Sequence, residues 1–299
     1  MTKAAQSERI AWAGWSLAAK PDWRPLRITG DWFSGTMTIG DGERSVLQVA
    51  WWRPKKRRRV AAEKRFQRWL QESSLDITVQ HHDPDDRFAL SAARLDGDGH
   101  RLVWCGWSRQ ADLLVDLRYE PDLPAASRRF IQDRAVPSLD VGAIRDPLRW
   151  QVFGHGFVSP PNFRYMKSKL LAGDVNLLFH SPAGEHLMLR QVYPADLALE
   201  RRELLGWTEL PVFDKGLHYH WNETRELAPP AHLHRLAERR GVRSVSQVFR
   251  FAGRMYLSGT VAHDTTRNKI LTALLETRRR GGDDNRTLEA VTAMNGEGN

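Results

Sequence analysis

Trp15 to Ile39 reads W-S-L-A-A-K-P-D-W-R-P-L-R-I-T-G-D-W-F-S-G-T-M-T-I, and Phe157 to Phe179 reads F-V-S-P-P-N-F-R-Y-M-K-S-K-L-L-A-G-D-V-N-L-L-F. Pro21-Asp22-Trp23-Arg24 aligns with Pro161-Asn162-Phe163-Arg164, and Gly35 falls near Gly173, at a period of about 140 residues. Turn residues follow each stretch, Gly40-Asp41-Gly42-Glu43 in one and Ser181-Pro182-Ala183-Gly184 in the other. After each turn comes a run with the pattern of a half-buried strand, Ser45 to Trp52 and His186 to Tyr193. The chain therefore reads as one structural sentence written twice.

Outward from these strands the two copies stay in step. Ala62, Phe66, Trp69 and Leu70 fall at i, i+4, i+7 and i+8 and predict an amphipathic helix. Ala195 to Leu205 occupies the matching place in the second copy. Further strands are expected at Phe88–Leu95, His100–Trp107 and Ala111–Tyr119, and then at Ser244–Phe251 and Arg254–Val261, with Ala252-Gly253 as the turn between the last two. Each copy is expected to close with a helix. Pro124 starts one and Pro137 stops it. Asp264 or Thr265 caps the other, with Ile270, Leu271, Leu274 and Leu275 as its apolar stripe and Gly281 at its end. The fold expected is α+β, two similar domains over residues 10–142 and 148–280, each a mainly antiparallel sheet with helices on one face. Residues 281–299 are expected to be a mobile tail, and Val212 to Pro230 a long connection.

This order resembles the PsbP-like and DcrB-like α/β domains, on F-V-S-P-P-N-F-R followed by K-L-L-A-G-D-V-N-L-L-F, and more loosely on W-S-L-A-A-K-P-D-W-R. The resemblance covers about half of the chain. It implies a tandem of such domains and a binding or adaptor role with no shared catalytic apparatus.

With 299 residues, 41% of them hydrophobic and 27% charged, the composition is that of a globular protein. No apolar run is long enough to span a membrane, and Met1 to Arg9 lead into no apolar segment, so a cytoplasmic protein without a secretory leader is expected. A single cysteine, Cys105, excludes an intrachain disulfide and a cysteine-based zinc cluster; between Trp104 and Trp107 it reads as a buried thiol.

Charge is the functional signal. Of the formal net charge of +9, the segment Arg53 to Arg68 carries nine cations against Glu63 alone. Lys55, Lys56, Arg57, Arg58, Arg59, Lys64, Arg65 and Arg68, with Arg53 before them, mark the place where an anion would dock. The matching element in the second copy carries Asp196, Glu200 and Glu203 against Arg201 and Arg202, so this fold does not require a cationic helix there. Cations at the start of a helix also oppose its macrodipole and repel one another. Three partners fit: an acidic protein surface, an anionic membrane surface, or nucleic acid bound through its phosphates with Trp51 or Trp52 stacking on bases. Trp51 and Trp52 are adjacent in a strand, so only one faces inward, while Trp69 belongs to the apolar helix face.

Catalytic chemistry finds little footing. Neither G-x-S-x-G, G-x-G-x-x-G nor a phosphate-binding P-loop is present. His81-His82-Asp83-Pro84-Asp85-Asp86 reads as a solvated loop. His218, His220, His232 and His234, with Asp214 or Glu223, are the candidates for a metal site in a metal-dependent enzyme, but they lack the spacing of an H-E-x-x-H helix. A non-enzymatic protein without cofactor is the expectation.

Overall fold

The structure, a computed structural model, describes residues 8–54, 59–71, 78–95, 103–119, 122–171, 173–208, 219–227, 232–239, 256–277 and 284–296. It is mainly antiparallel sheet with few helices. The chain divides into two compact units, Met1–Gly154 and His155–Asn299.

In the first unit, β1 (Glu8–Trp12) and β2 (Trp15–Ala19) form a hairpin through Ala13 and Gly14, both at positive φ (47° and 81°), the backbone of a tight turn whose twist suits paired strands. The large sheet of this unit is built from β3 (Arg24–Gly30), β4 (Ser34–Gly40), β5 (Ser45–Trp52), β6 (Thr78–His82), β7 (Leu90–Leu95), β8 (Val103–Ser108) and β9 (Leu113–Tyr119). Its order is β3-β4-β5-β9-β8-β7-β6. A bulge in β3 falls between Pro25 and Arg27. With β10 (Asp140–Val141) and β11 (Leu148–Val152), the hairpin makes a small sheet ordered β10-β2-β1-β11. The expected domain boundary would have left β11 outside, but it pairs with β1 through Ala11 and Gln151.

Alternation along β5 separates the two faces of the large sheet. Trp51 points to the small sheet, 6.4 Å from Trp15, beside buried Val49, Leu47 and Met37. Trp52 points the other way, toward α1 (Arg59–Gln71), whose Ala62, Phe66 and Trp69 pack on Ala92, Cys105, Trp107 and Leu114 of β7, β8 and β9. Much of this unit's core is tryptophan, including the edge-on pair Trp12–Trp150 at 5.2 Å. Helix α2 (Ala125–Phe130) opens after Pro124 and runs into a wider turn, Ile131–Ala135. Its Phe130 meets Trp23 at 5.2 Å.

The second unit opens with β12 (His155–Ser159). Its sheet comprises β13 (Arg164–Leu171), β14 (Asp174–His180), β15 (His186–Val192), β16 (Tyr219–Leu227), β17 (His232–Arg239), β18 (Tyr256–Asp264) and β19 (Lys269–Thr277). The order is β13-β14-β15-β19-β18-β17-β16, with a bulge between Tyr165 and Lys167. Helix α3 (Ala195–Arg201) and a short 3₁₀ helix (Leu204–Thr208) follow β15.

Four expectations are corrected here. The segment with Ile270, Leu271, Leu274 and Leu275 is strand β19 rather than a helix: it lies between β15 and β18, buried on both faces, and a doubly buried strand is an unbroken apolar run that imitates a helical stripe. Asp264 ends β18 and Thr265 begins the turn into β19, where Asn268 takes φ 55°. Within the expected tail 281–299, residues 284–296 form α4 (Asp284–Gly296), with Ala290, Val291 and Met294 buried. Within the expected connection Val212–Pro230, Tyr219–Leu227 is β16. The helices of the second unit also do not share one face. Val261 packs with Ala195 of α3, whereas its neighbour Thr260 bonds Thr287 of α4, and successive strand residues point to opposite sides. The strand expected at Ser244–Phe251 and its turn at Ala252-Gly253 lie outside the described residues.

Candidate anion-binding surface

Helix α1 owes its position to three buried side chains. Phe66 and Trp69 stack with ring centroids 6.0 Å apart, and Ala62 lets the helix approach the sheet. The Arg94 guanidinium lies 3.9 Å from the Trp69 ring. With this stripe turned inward, Lys64, Arg65 and Arg68 are exposed, and Arg65 lies over the Trp52 ring at 4.8 Å. The first turn of α1 holds no acidic residue to answer its macrodipole. Among the described residues, Lys64, Arg65 and Arg68 have no ion-pair partner.

The rest of the sequence-derived site divides. Lys55, Lys56, Arg57 and Arg58 lie outside the described residues, and Arg59 is the first residue of α1. Arg53 is no surface cation. It is 5% exposed, its guanidinium 3.8 Å from the Trp32 ring, and its Nη1 donates to the Trp32 carbonyl at 3.2 Å. Burial pulls its pKa down to about 9, opposed by Asp112, and it remains charged at neutral pH. Of the two stacking candidates, Trp51 is buried and donates its indole N–H to the Asp31 carbonyl at 3.0 Å, so it offers no face to a base. Trp52 is half-buried, and its ring is already met by Arg65.

His218 and Asp214 lie outside the described residues. The register of β16 and β17 sets His220 opposite Glu238, His232 opposite Leu227, His234 opposite Arg225 and Glu223 opposite Leu236. His220 is thus about four residues of strand, on the order of 13 Å, away from His234. Among the described residues no cluster of three metal-ligating side chains exists. His81 and His82 sit exposed on β6, and Asp85 beyond them is spent on the Phe88 and Arg87 N–H groups and on an ion pair with Arg87. Cys105 is fully buried, and burial beside Asp116 raises its pKa well above the ordinary thiol range, which leaves it protonated.

One polar cluster escaped the sequence. His186 Nδ1 lies 2.9 Å from Glu276 Oε2, and the His180 ring is 6.3 Å from that of His186. Burial, then His186 and Arg164, lower the pKa of His180. Reading 270–275 as a helix put Glu276 on no strand and so opposite nothing; two-sided burial of β19 hid the pairing.

No protein-family model matches this chain, and no curated protein does. Among the described residues no helix is long and apolar enough to cross a membrane.

Proposed function

We propose that this chain is a non-enzymatic, cytoplasmic binding or adaptor protein that presents the outer side of α1 to an acidic protein surface. The observation that carries the reading is a helix held by Ala62, Phe66 and Trp69 while Lys64, Arg65 and Arg68 stand exposed with no carboxylate spent on them among the described residues. Nucleic acid is the second reading, since backbone phosphates would meet the same cations. It draws less support, because Trp51 is buried and Trp52 is engaged by Arg65, which removes the stacking that single-stranded bases would use. A metal-dependent enzyme built on His220, His232 and His234 draws none from their register.

We also propose that the two units are similar domains produced by duplication, with the PsbP-like and DcrB-like domains as their fold analogy. Three features support it. Counted from the first strand, both large sheets run in the same order. The first strand of each carries its bulge at the same step, after Pro25 in one and after Tyr165 in the other. The central registers match as well, Trp52 opposite Leu114 and Val192 opposite Ile270.

The test is the variant Lys64→Gln/Arg65→Gln/Arg68→Gln. Binding of an acidic polypeptide should weaken on this change and, in the unsubstituted chain, fall steeply with added salt. Binding that is indifferent to both overturns the reading.

A further inference from the structure

Helix α1 covers only half of its sheet face. Its buried residues lie over β7, β8 and β9 and reach Trp52 at the end of β5, while along most of β3, β4 and the rest of β5 the described residues of the same face are exposed or half-buried. Arg24, Arg27, Thr29, Ser34 and Gln48 are exposed there, and Thr36, Thr38 and Ala50 half-buried. The strip from β3 to β5 is about 10 Å wide, room for one polypeptide segment. Its floor is hydroxyl and amide around Ala50, with the exposed Leu26 lying over Gly40 at one end: Thr29 and Thr36 share a hydroxyl–hydroxyl bond of 2.7 Å, and Thr38 stands opposite Gln48.

Both borders of this strip are cationic. On the β3 side, the bulge at Leu26 matters. Arg24 pairs with Gly40 and Arg27 with Thr38, two positions apart on β4, so both arginines stand on the open face. On the other side, Arg65 reaches across to Trp52 of β5. At 3.6 residues per turn, Arg65, Arg68 and Lys64 fall about 65°, 125° and 165° from the buried stripe in one direction, toward β5, while Glu63 falls about 95° away in the other. Arg65 and Arg68 therefore lie on the flank that borders the open strip, Lys64 lies near the crest of the helix, and Glu63 and the position of Arg59 fall on the far flank. Neither Arg24 nor Arg27 has an ion-pair partner among the described residues. Of the carboxylates on this sheet and its turns, Asp116 is buried and bound by Arg118, Asp31 and Asp41 accept backbone N–H groups of their own turns, and Glu43 stands exposed in the β4–β5 turn.

We propose that the first unit holds an acidic polypeptide segment in this strip, its carboxylates reaching Arg24 and Arg27 on one border and Lys64, Arg65 and Arg68 on the other. The proposal rests on the function proposed above and gives it a location and a second set of residues. Charge complementarity selects an acidic occupant. Side chains that both donate and accept, with no exposed aromatic ring on this face among the described residues, suit a polypeptide better than stacked bases.

The experiment measures binding of a fluorescein-labelled polyglutamate peptide by anisotropy at fixed salt. The proteins are the full chain, R24Q/R27Q on β3, K64Q/R65Q/R68Q on α1, and the charge-matched control R129Q/R134Q, with folding checked by circular dichroism. R24Q/R27Q should weaken binding about fivefold, and the control by less than about twofold. Thr38→Glu, which removes no cation but puts a carboxylate in the middle of the floor, should weaken it at least as much as R24Q/R27Q. If the α1 variant loses binding while R24Q/R27Q and Thr38→Glu match the control, the strip is overturned and the role of α1 stands. If the α1 variant binds normally, or the peptide is not bound at all, the proposed function itself fails. A duplex DNA oligonucleotide bound more tightly than the peptide, and lost in both variants, replaces the acidic polypeptide with nucleic acid.

Discussion

The guanidinium of Arg53 lies 3.8 Å from the ring centroid of Trp32 and donates to the Trp32 carbonyl, so a cation from the most basic segment of the chain is part of the core. Its neighbourhood leaves no slack. A Cβ on Gly14 would sit 2.5 Å from Arg53 Nη2 and 3.3 Å from the Gly142 carbonyl oxygen, and Gly14 also takes φ +81°. Gly14→Ala should therefore cost about 2 kcal/mol, because the arginine tip is fixed by stacking and cannot yield freely. Arg53→Ala should cost about 3 kcal/mol through lost packing as much as lost charge. Urea unfolding followed by tryptophan fluorescence measures both.

The helix α1 should respond in opposite ways to changes on its two sides. Phe66→Ala removes a stacked, buried ring and should cost about 3–5 kcal/mol. Lys64→Gln/Arg65→Gln/Arg68→Gln should leave stability within about 0.5 kcal/mol per site, since the side chains are exposed and lack ion-pair partners among the described residues. Thermal melts of the two variants separate the anchoring face from the presented one.

Acid should weaken the second unit through His155. Its ring is buried beside Gln191, whose Oε1 is 3.1 Å from Nδ1 and whose Nε2 donates to the Gly156 carbonyl. Burial first, and then the Lys269 charge, lower its pKa to about 4 from an ordinary 6.5. Between these values the unfolded chain binds a proton that the folded chain refuses. Stability should be unaffected above pH 6.5, fall as pH drops through that window, and level off for this group below about pH 4, a loss of about 3 kcal/mol. His155→Leu should flatten the slope between pH 6.5 and 4, even though its stability at neutral pH is lower. An unchanged slope in denaturant titrations at stepped pH would show that another group is responsible.

The C-terminal helix α4 is part of the fold, and one hydroxyl pair tests this. Thr260 and Thr287 are both fully buried and bond at 2.8 Å. Thr287→Val leaves the Thr260 hydroxyl facing an apolar neighbour and should cost about 1–3 kcal/mol. The double variant Thr260→Val/Thr287→Val should recover part of that loss, because no orphaned hydroxyl remains. Strictly additive losses in the double-mutant cycle would mean that the two hydroxyls are not coupled. The ion pair of Arg286 with Glu185, 2.9 Å, fastens the same helix to the β14–β15 turn.

Elements with one buried and one wet face were legible in the sequence, because one-sided burial writes its period into the residues. Ser45–Trp52 came out as β5, and Ala62, Phe66 and Trp69 as the buried stripe of α1. Turn chemistry was legible for a related reason: Gly42 and Gly184 take positive φ, 93° and 79°, which other residues adopt at a cost. Alternation also required one of Trp51 and Trp52 to face inward.

Choices that depend on what covers a face belonged to the tertiary structure. Packing by Trp15 decided that Trp51 was the inward one. β19 is covered on both sides, so its residues lack alternation and looked helical. Arg53 counted as surface charge in any composition, until Trp32 closed over it. Arg24 and Arg27 are three residues apart, and on a regular strand they would point to opposite faces; only the bulge at Leu26 turns both onto one. Local pattern records which side of an element is buried. Which cations end up sharing a surface is set by register and by covering layers, and these arise only when distant parts of the chain meet.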